Sequence, residues 1–468
     1  MLAADNNNNN NIWIFLFILL LIAAFLTVNP IATVACISVI PFFLLLWRKP
    51  EPPILFVGLL YQWVAVSIKL LYSDIYDLDF DNFHVFAEDI YTAYALSLLG
   101  LVVLTVSIIT VLHKPKALSE ADEKNFVSYN ITRLVLIYIS FSTFVTLLGS
   151  SFLSFGGLAQ VTYAFTLLKW SFFILLFITI AKSESKKNYL ILISIIILEV
   201  LIGFAAYFSS FKEILFFSFI GAATVIRKIK LSKLIPLAFL GYIVFSLGVL
   251  WTAIKSDYRM FLSGGERQQI VTVSREDALD YFFKLASEVP DETIAKARFE
   301  LVNRISYIDF FSGAIAYVPE RLPHENGKVW FSAITHVFKP RIFFPDKEAI
   351  DDSKHLNKYT GLSVATGEMG ASFSLGYMAD SYIDFGPVFM FIPLALMGLL
   401  IGGIYRYFLK NAYNVTWGYA LIAPLFYFVG TYEIASIKLV GNLIMYFMVF
   451  YLLNKFIVPK LDLYLKKN

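Results

Sequence analysis

Hydrophobic runs of about 20 residues recur along the chain, with short polar segments between them. A helix of that length crosses the ~30 Å hydrocarbon core of a bilayer at ~1.5 Å per residue. The pattern predicts an all-α polytopic membrane protein with about 12 transmembrane helices. These predicted spans cover residues 12–28, 31–47, 53–72, 90–112, 131–149, 161–181, 189–208, 211–226, 234–254, 386–409, 416–432 and 436–457.

One long polar segment, residues 255–385, separates the ninth predicted span from the tenth. It holds 15 of the 38 Lys and Arg residues and 19 of the 35 Asp and Glu residues. Charges are costly inside a bilayer, so we expect a large, mostly helical loop at the membrane surface that carries the active site. The remaining predicted regions are a disordered Asn-rich tail at 1–11, spans one to nine at 12–254, spans ten to twelve at 386–457, and a tail at 458–468.

Composition and charge distribution support a membrane protein and give it an orientation. The hydrophobic content is 58% and the mean hydropathy is +0.70, values outside the range of a soluble domain. With a cytoplasmic N-terminus, 18 basic residues of the short loops and tails lie inside, and only Lys212 and Lys438 lie outside. The positive-inside rule then predicts that both termini are cytoplasmic and the long loop is extracytoplasmic. Because the basic residues are distributed as membrane topology requires, they give no support for nucleic-acid binding.

The first part of the long loop contains two helix signals. Ser274 and Asp277 have the spacing of a capping box, which predicts a helix from Ser274 to Glu288. After Pro290, an acidic first turn predicts a second helix that runs to about Val318. Arg304 lies within the apolar stripe of this second helix. Its guanidinium is expected to bind either Glu300, four residues earlier, or a substrate phosphate.

The later part of the loop contains basic, aromatic and acidic candidates. In the segment 338–347, two prolines flank an aromatic run and hold Arg341 and Lys347, which suits either pyrophosphate binding or interfacial anchoring. Residues 351–386 are rich in glycine, aromatic residues and carboxylates, as in a sugar-binding cleft or a mobile surface loop. The candidates here are His355, Tyr359, Glu368, Asp380 and Tyr382.

Three short motifs in this loop carry a family resemblance. They are Arg-Ile-Ser at 304–306, Lys-Pro-Arg-Ile-Phe-Phe-Pro-Asp-Lys at 339–347, and Asp-Ser-Tyr-Ile-Asp-Phe-Gly at 380–386, which precedes a span. Their order, the span number and the single large loop resemble the Wzy-type O-antigen and oligosaccharide repeat-unit polymerases. The resemblance implies a C-type glycosyltransferase of the bacterial inner membrane. Such an enzyme transfers a growing glycan from undecaprenyl pyrophosphate to an incoming lipid-linked repeat unit, in company with a chain-length regulator and a flippase.

The resemblance also implies roles for individual residues. Arg304 and Arg341 become catalytic candidates that hold the pyrophosphate, together with Lys347, and Asp380 becomes the acidic catalytic candidate. From the loop alone we add the substrate-binding candidates His336, His355, Tyr359, Glu368 and Tyr382. Arg and Lys clamps stabilise a pyrophosphate leaving group without a metal, so neither a metal nor another cofactor is expected.

Two alternatives use similar architecture. An O-antigen ligase-like transferase shares the donor but has another lipid as its acceptor, and a polysaccharide or lipid-linked oligosaccharide transporter belongs to a different class. A transporter is expected to show repeated halves and charges along its spans, and the sequence has no obvious repeat. Several charged residues do fall inside predicted spans. Lys169 and Glu199 lie at similar depth in neighbouring spans, which predicts an ion pair.

Overall fold

The part of the chain that the structure describes is mostly helical. The computed structural model describes residues 17–48, 51–83, 89–112, 127–153, 159–183, 185–204, 211–225, 231–265, 271–339, 344, 347, 350–367 and 372–466. Its helices are α1 (Pro30–Ser38), α2 (Ile40–Leu44), α3 (Ile54–Ile75), α4 (Ile90–Val111), α5 (Ile131–Leu153), α6 (Ala159–Thr166), α7 (Leu168–Ser183), α8 (Lys186–Phe204), α9 (Phe211–Val225), α10 (Leu231–Leu262), α11 (Arg275–Glu288), α12 (Asp291–Ile305), α13 (Ile308–Tyr317), α14 (Lys328–Val337), α15 (Asp352–Thr360), α16 (Tyr377–Phe389), α17 (Phe391–Asn411), α18 (Val415–Leu425), α19 (Ser436–Leu452) and α20 (Val458–Leu465).

Five helical segments of the described residues are long and apolar enough to cross a membrane. They are Ile54–Ile75, Ile90–Val111, Val161–Ser183, Phe391–Asn411 and Ser436–Leu465. Each coincides with one of the twelve predicted spans. Shorter apolar helices fall at Pro30–Leu44, Ile131–Leu147, Ile308–Tyr317 and Val415–Leu425. The coarse prediction of a helical chain with membrane-crossing segments therefore agrees with the structure.

The two helices predicted at the start of the long loop have different outcomes. The first is confirmed, because the Ser274 side chain accepts a hydrogen bond from the backbone N–H of Asp277 and α11 follows. The second is wrong as a single helix, because the chain ends α12 at Ile305 and begins α13 at Ile308. Packing explains the break. Helix α12 lies against α10, whereas α13 packs against α4 and α15, so one straight helix cannot satisfy both contacts.

Helices α16 and α17 form a hairpin at Gly386. This glycine has a φ of 69°, a left-handed conformation that residues with side chains rarely adopt, and Pro387 follows it. Met378 of α16 and Leu394 of α17 both pack against Gly100 in α4. Because these contacts lie on opposite sides of the turn, the two helices run side by side along α4, and α16 begins beside the middle of a candidate span.

A second interruption lies between α18 and α19. A 3-10 turn at Tyr427–Gly430 follows α18, and a short non-helical segment at 431–435 leads to α19. Interior backbone must be hydrogen-bonded where water is excluded, and neighbouring segments supply partners here. The Gln62 side chain donates to the carbonyl of Val429, and the backbone N–H of Tyr377 donates to the carbonyl of Ile434 at 2.8 Å. The start of α16 and the start of α19 are therefore held together.

The predicted ion pair within the helical bundle is confirmed. The Lys169 ammonium lies 2.8 Å from a carboxylate oxygen of Glu199, and both side chains are largely buried. Glu199 also accepts hydrogen bonds from the hydroxyls of Tyr138 at 2.7 Å and Ser142 at 3.0 Å. The pair therefore satisfies both charges away from water.

Candidate functional site

A histidine and an aspartate meet where the two helix starts converge. The Nε2 atom of His355 lies 2.8 Å from the Oδ1 atom of Asp380. Asp380 is 1% exposed, and its other oxygen accepts a hydrogen bond from the backbone N–H of Ser436 at 2.8 Å. The carboxylate therefore sits at the N-terminus of α19, where negative charge is favourable, and fixes the orientation of the imidazole.

The protonation of His355 reflects its surroundings. Burial lowers the pKa of the imidazole, but the negative charge of Asp380 and the hydrogen bond to it outweigh burial, so the pKa is raised above 6.5. About 30% of the histidine side chain remains exposed. With Nε2 bonded to Asp380, the Nδ1 atom is the ring nitrogen that can accept a proton. The pair therefore has the arrangement of a general base with an orienting carboxylate.

Local sequence explains why α15 presents this histidine. The Asp351 side chain caps the helix by accepting from the backbone N–H of Lys354 at 3.1 Å, and Gly361 ends it with a φ of 68°. His355 and Tyr359 lie four residues apart, and their rings meet edge to face with centroids 4.8 Å apart. Capping and ring packing together hold the imidazole toward α16.

A charged network fixes the outer face of α15. The Tyr359 hydroxyl donates to Glu325 at 2.7 Å, and the Lys358 ammonium donates to the same carboxylate oxygen at 3.1 Å. These two hydrogen bonds lower the pKa of Glu325 to about 2. At the other end of the helix, buried Asp352 forms an ion pair with Lys438 of α19. The helix is thus tied to its neighbours at both ends.

Basic residues from three helices gather near the end of α12. The charges of Arg304, Lys255 and Arg259 all act on Lys212. Burial lowers the pKa of Lys255, the charges of Arg304 and Arg259 lower it further, and Glu300 opposes them. Within the described part of the chain, Arg304, Lys212 and Lys255 make no ion pair. The predicted Arg304–Glu300 pair is therefore not formed, and the cluster has an excess of positive charge.

Tyr307 lies within electrostatic reach of Arg304 in the basic cluster and of two acidic residues. The pKa of Tyr307 is raised to about 12, mainly by burial and also by the charges of Glu433 and Asp352, whereas the charge of Arg304 opposes this shift. The charges of Arg304 and Asp352 therefore both reach this hydroxyl. Burial also raises the pKa of Glu433. The charges of Arg304, Glu433 and Asp352 thus act together on the region that contains Tyr307.

Other predicted site residues have structural contacts. The Tyr382 hydroxyl donates to the carbonyl of Val318 at 2.9 Å. The Lys347 ammonium donates to the carbonyls of His336 at 2.5 Å and Lys339 at 2.8 Å, which ties the segment after α14 to that helix. Their predicted roles in substrate binding stay predictions.

Two predicted residues, Arg341 and Glu368, lie outside the described residues. The structure also adds residues that the sequence interpretation did not select, namely Lys255, Glu433, Ser436 and the Asp352–Lys438 pair. Lys438 was counted only as a loop charge for topology. The signal that could have found it is an ionisable side chain between two apolar runs, which usually marks function or pairing.

The fold and the charged residues around His355 and Arg304 define the class of protein. It is a helical protein with candidate membrane spans and a charged region between interrupted helices. The chain belongs to the family described as a domain of unknown function, DUF8712, whose model matches residues 69–463. No curated protein and no solved structure gives a significant match to the chain.

Proposed function

We propose that this protein is a glycosyltransferase that polymerises lipid-linked oligosaccharide repeat units in the bacterial inner membrane. The observation that carries the proposal is the oriented histidine, His355 on Asp380. The cluster of cations that includes Arg304 and Lys255 supplies the second kind of group that the reaction needs. Transfer from a sugar pyrophosphate requires a base for the acceptor and positive charge for the leaving group.

The proposed reaction is a single displacement at the anomeric carbon. The acceptor hydroxyl oxygen forms the new glycosidic bond, and its proton passes to Nδ1 of His355. The bond from the anomeric carbon to the undecaprenyl pyrophosphate oxygen breaks, and the pyrophosphate leaves with the electron pair. Arg304, Lys255 and Lys212 stabilise the charge that develops on it. Asp380 stabilises the imidazolium, and no metal is needed.

The proposed topology follows from the charge distribution. It has twelve spans, both termini in the cytoplasm, and residues 255–385 on the extracytoplasmic side, because 18 basic residues of the short loops and tails then lie inside. Alkaline phosphatase fused near Lys328 should be active in this topology. Activity of the same enzyme fused after Asn468 would contradict it.

The function is tested by complementing a deletion strain with variants and separating the surface polysaccharide on a gel. Arg304→Ala should abolish polymer, retain single repeat units and leave membrane abundance unchanged. Arg304→Lys should restore polymer only in part, since the bidentate guanidinium is absent. Lys296→Ala is the matched control, because this cation lies on the same helix and is exposed like Arg304, but is paired with Glu292. Polymer of normal length in Arg304→Ala would contradict the proposal.

One observation favours a transporter as the second candidate. Helices α16 and α19 begin beside the interior of the bundle, and interrupted helices of this kind form substrate sites in many transporters. The same gel separates the two functions. Loss of a polymerase leaves single repeat units at the surface, whereas loss of a flippase leaves none. A ligase-like transferase would instead transfer preformed polymer to a different lipid acceptor.

A further inference from the structure

We infer that α14 is an interfacial helix whose outer face lies among the lipids of the leaflet next to the His355–Asp380 pair. The helix has two distinct faces. Trp330 and Ala333 are buried, whereas Phe331 is 69% exposed and Ile334 is also exposed. Phe338, which follows the helix, is 70% exposed. The exposed residues recur at the spacing of one helix face.

The buried face of α14 is fixed to the hairpin. The carboxylate of Asp384 in α16 accepts hydrogen bonds from the backbone N–H groups of Val329 at 3.0 Å and Trp330 at 2.8 Å. The Trp330 indole donates to the hydroxyl of Ser381 at 3.1 Å. These contacts determine which face points outward, so exposure of Phe331 is not the result of a loosely attached helix.

Continuity with a candidate span identifies lipid as the occupant of this face. The residues just before α14, at 325–327, contact the chain at 383–385, immediately before the turn into α17. Large apolar side chains are exposed across that turn, at Val388, Phe389 and Ile392, where a membrane-crossing helix begins. Helix α14 also packs against α19, which belongs to another candidate span. The exposed aromatic face thus extends the surface that the spans present to lipid.

The flanking residues agree with this position. Lys328 at the start of the helix and Lys339 after its end are exposed, and basic residues with aromatic rings are typical of the membrane interface. A soluble surface rarely carries so many large apolar side chains together. A lipid environment accommodates the rings and leaves the ammonium groups in the headgroup region.

Site-directed spin labelling of the full chain in lipid nanodiscs tests the inference without using activity. Labels at Phe331→Cys, Ile334→Cys and Phe338→Cys should be more accessible to oxygen than to a water-soluble nickel chelate. Lys296→Cys should show the reverse. The native Cys36 is buried, and protein without an added cysteine serves as the labelling blank.

Two results would overturn the inference. Greater accessibility to the nickel chelate at positions 331 and 338 would place the face in water. Protection from both reagents, with dipolar broadening between labels, would show that a second copy covers it. Either result leaves the proposed glycosyl transfer untouched, because that proposal depends on Arg304 and His355.

Discussion

The ion pair between Lys169 and Glu199 gives a quantitative prediction of stability. The charged atoms are 2.8 Å apart, and only 14% and 13% of the two side chains are exposed. Removing one member of such a buried pair leaves an uncompensated charge and costs about 3–5 kcal/mol. We expect Glu199→Leu to lower the free energy of unfolding by that amount.

The two single substitutions should differ, because the partners have different secondary contacts. In Lys169→Met the carboxylate keeps its hydrogen bonds from Tyr138 and Ser142, and hydrogen bonds to a charged group are worth about 1.5–3 kcal/mol each. In Glu199→Leu the ammonium keeps its contact with the Trp170 ring, 4.7 Å from the centroid. Glu199→Leu should therefore be the more destabilising change, by about 1–2 kcal/mol.

The assay is a double-mutant cycle on purified protein in bicelles, with unfolding in sodium dodecyl sulfate followed by circular dichroism. The double variant Lys169→Met/Glu199→Leu should be more stable than either single variant, because no charge remains unpaired. Lys296→Met is the control, since its ion pair is exposed and worth about 1 kcal/mol or less. Additive effects, with a coupling energy below about 0.5 kcal/mol, would refute the reasoning.

Three further predictions concern the loop helices. Asp380→Asn removes the charge that raises the pKa of His355. If neutral His355 is the base, the acidic limb of the pH–rate profile should therefore move to lower pH. An acidic limb that does not move contradicts the role of His355 as the base. The pKa of Glu325 is about 2 in the fold against 4.5 ordinarily, so its stabilising contribution is full above pH 4.5 and is lost as the pH falls toward 2. Thermal unfolding of Glu325→Gln should accordingly depend less on pH in that window than wild type does, and equal slopes count against this. Lys69→Met should destabilise the protein by about 3–5 kcal/mol because Asp309 loses a partner 2.6 Å away. The double variant Lys69→Met/Asp309→Leu should recover part of this stability. Absence of recovery in detergent unfolding would show that the pair is not coupled.

Features set by local spacing were predictable from the sequence. The cap formed by Ser274 depends on residues three positions apart, so its geometry is fixed once a helix begins. The pairing of Lys169 with Glu199 follows from the cost of an unpaired charge inside the bundle and from equal depth in antiparallel neighbours. Neither inference needs knowledge of how distant segments pack.

Features set by distant packing were not predictable in the same way. The break after Ile305 arises because α12 and α13 pack against different helices, although the apolar stripe continues through it. His355 and Asp380 were both selected from the sequence, but their contact depends on the chain folding back between α15 and α16. The Arg304–Glu300 spacing allowed a helix pair that the fold does not form, since spacing permits a contact without requiring it.

The two acidic residues of α16 show why this segment resembles a loop in sequence and yet packs as a helix. Asp380 accepts from the backbone N–H of Ser436 at the start of α19, and Asp384 accepts from those of Val329 and Trp330 at the start of α14. The first turn of a helix has unpaired N–H groups and partial positive charge. Each carboxylate accepts hydrogen bonds from the N–H groups at the start of a helix in another part of the chain. These hydrogen bonds offset the cost of burying the carboxylate. Of the two, Asp380 also contacts a titratable ring, that of His355, and this distinguishes the acid for which we propose a chemical role from the one that joins helices.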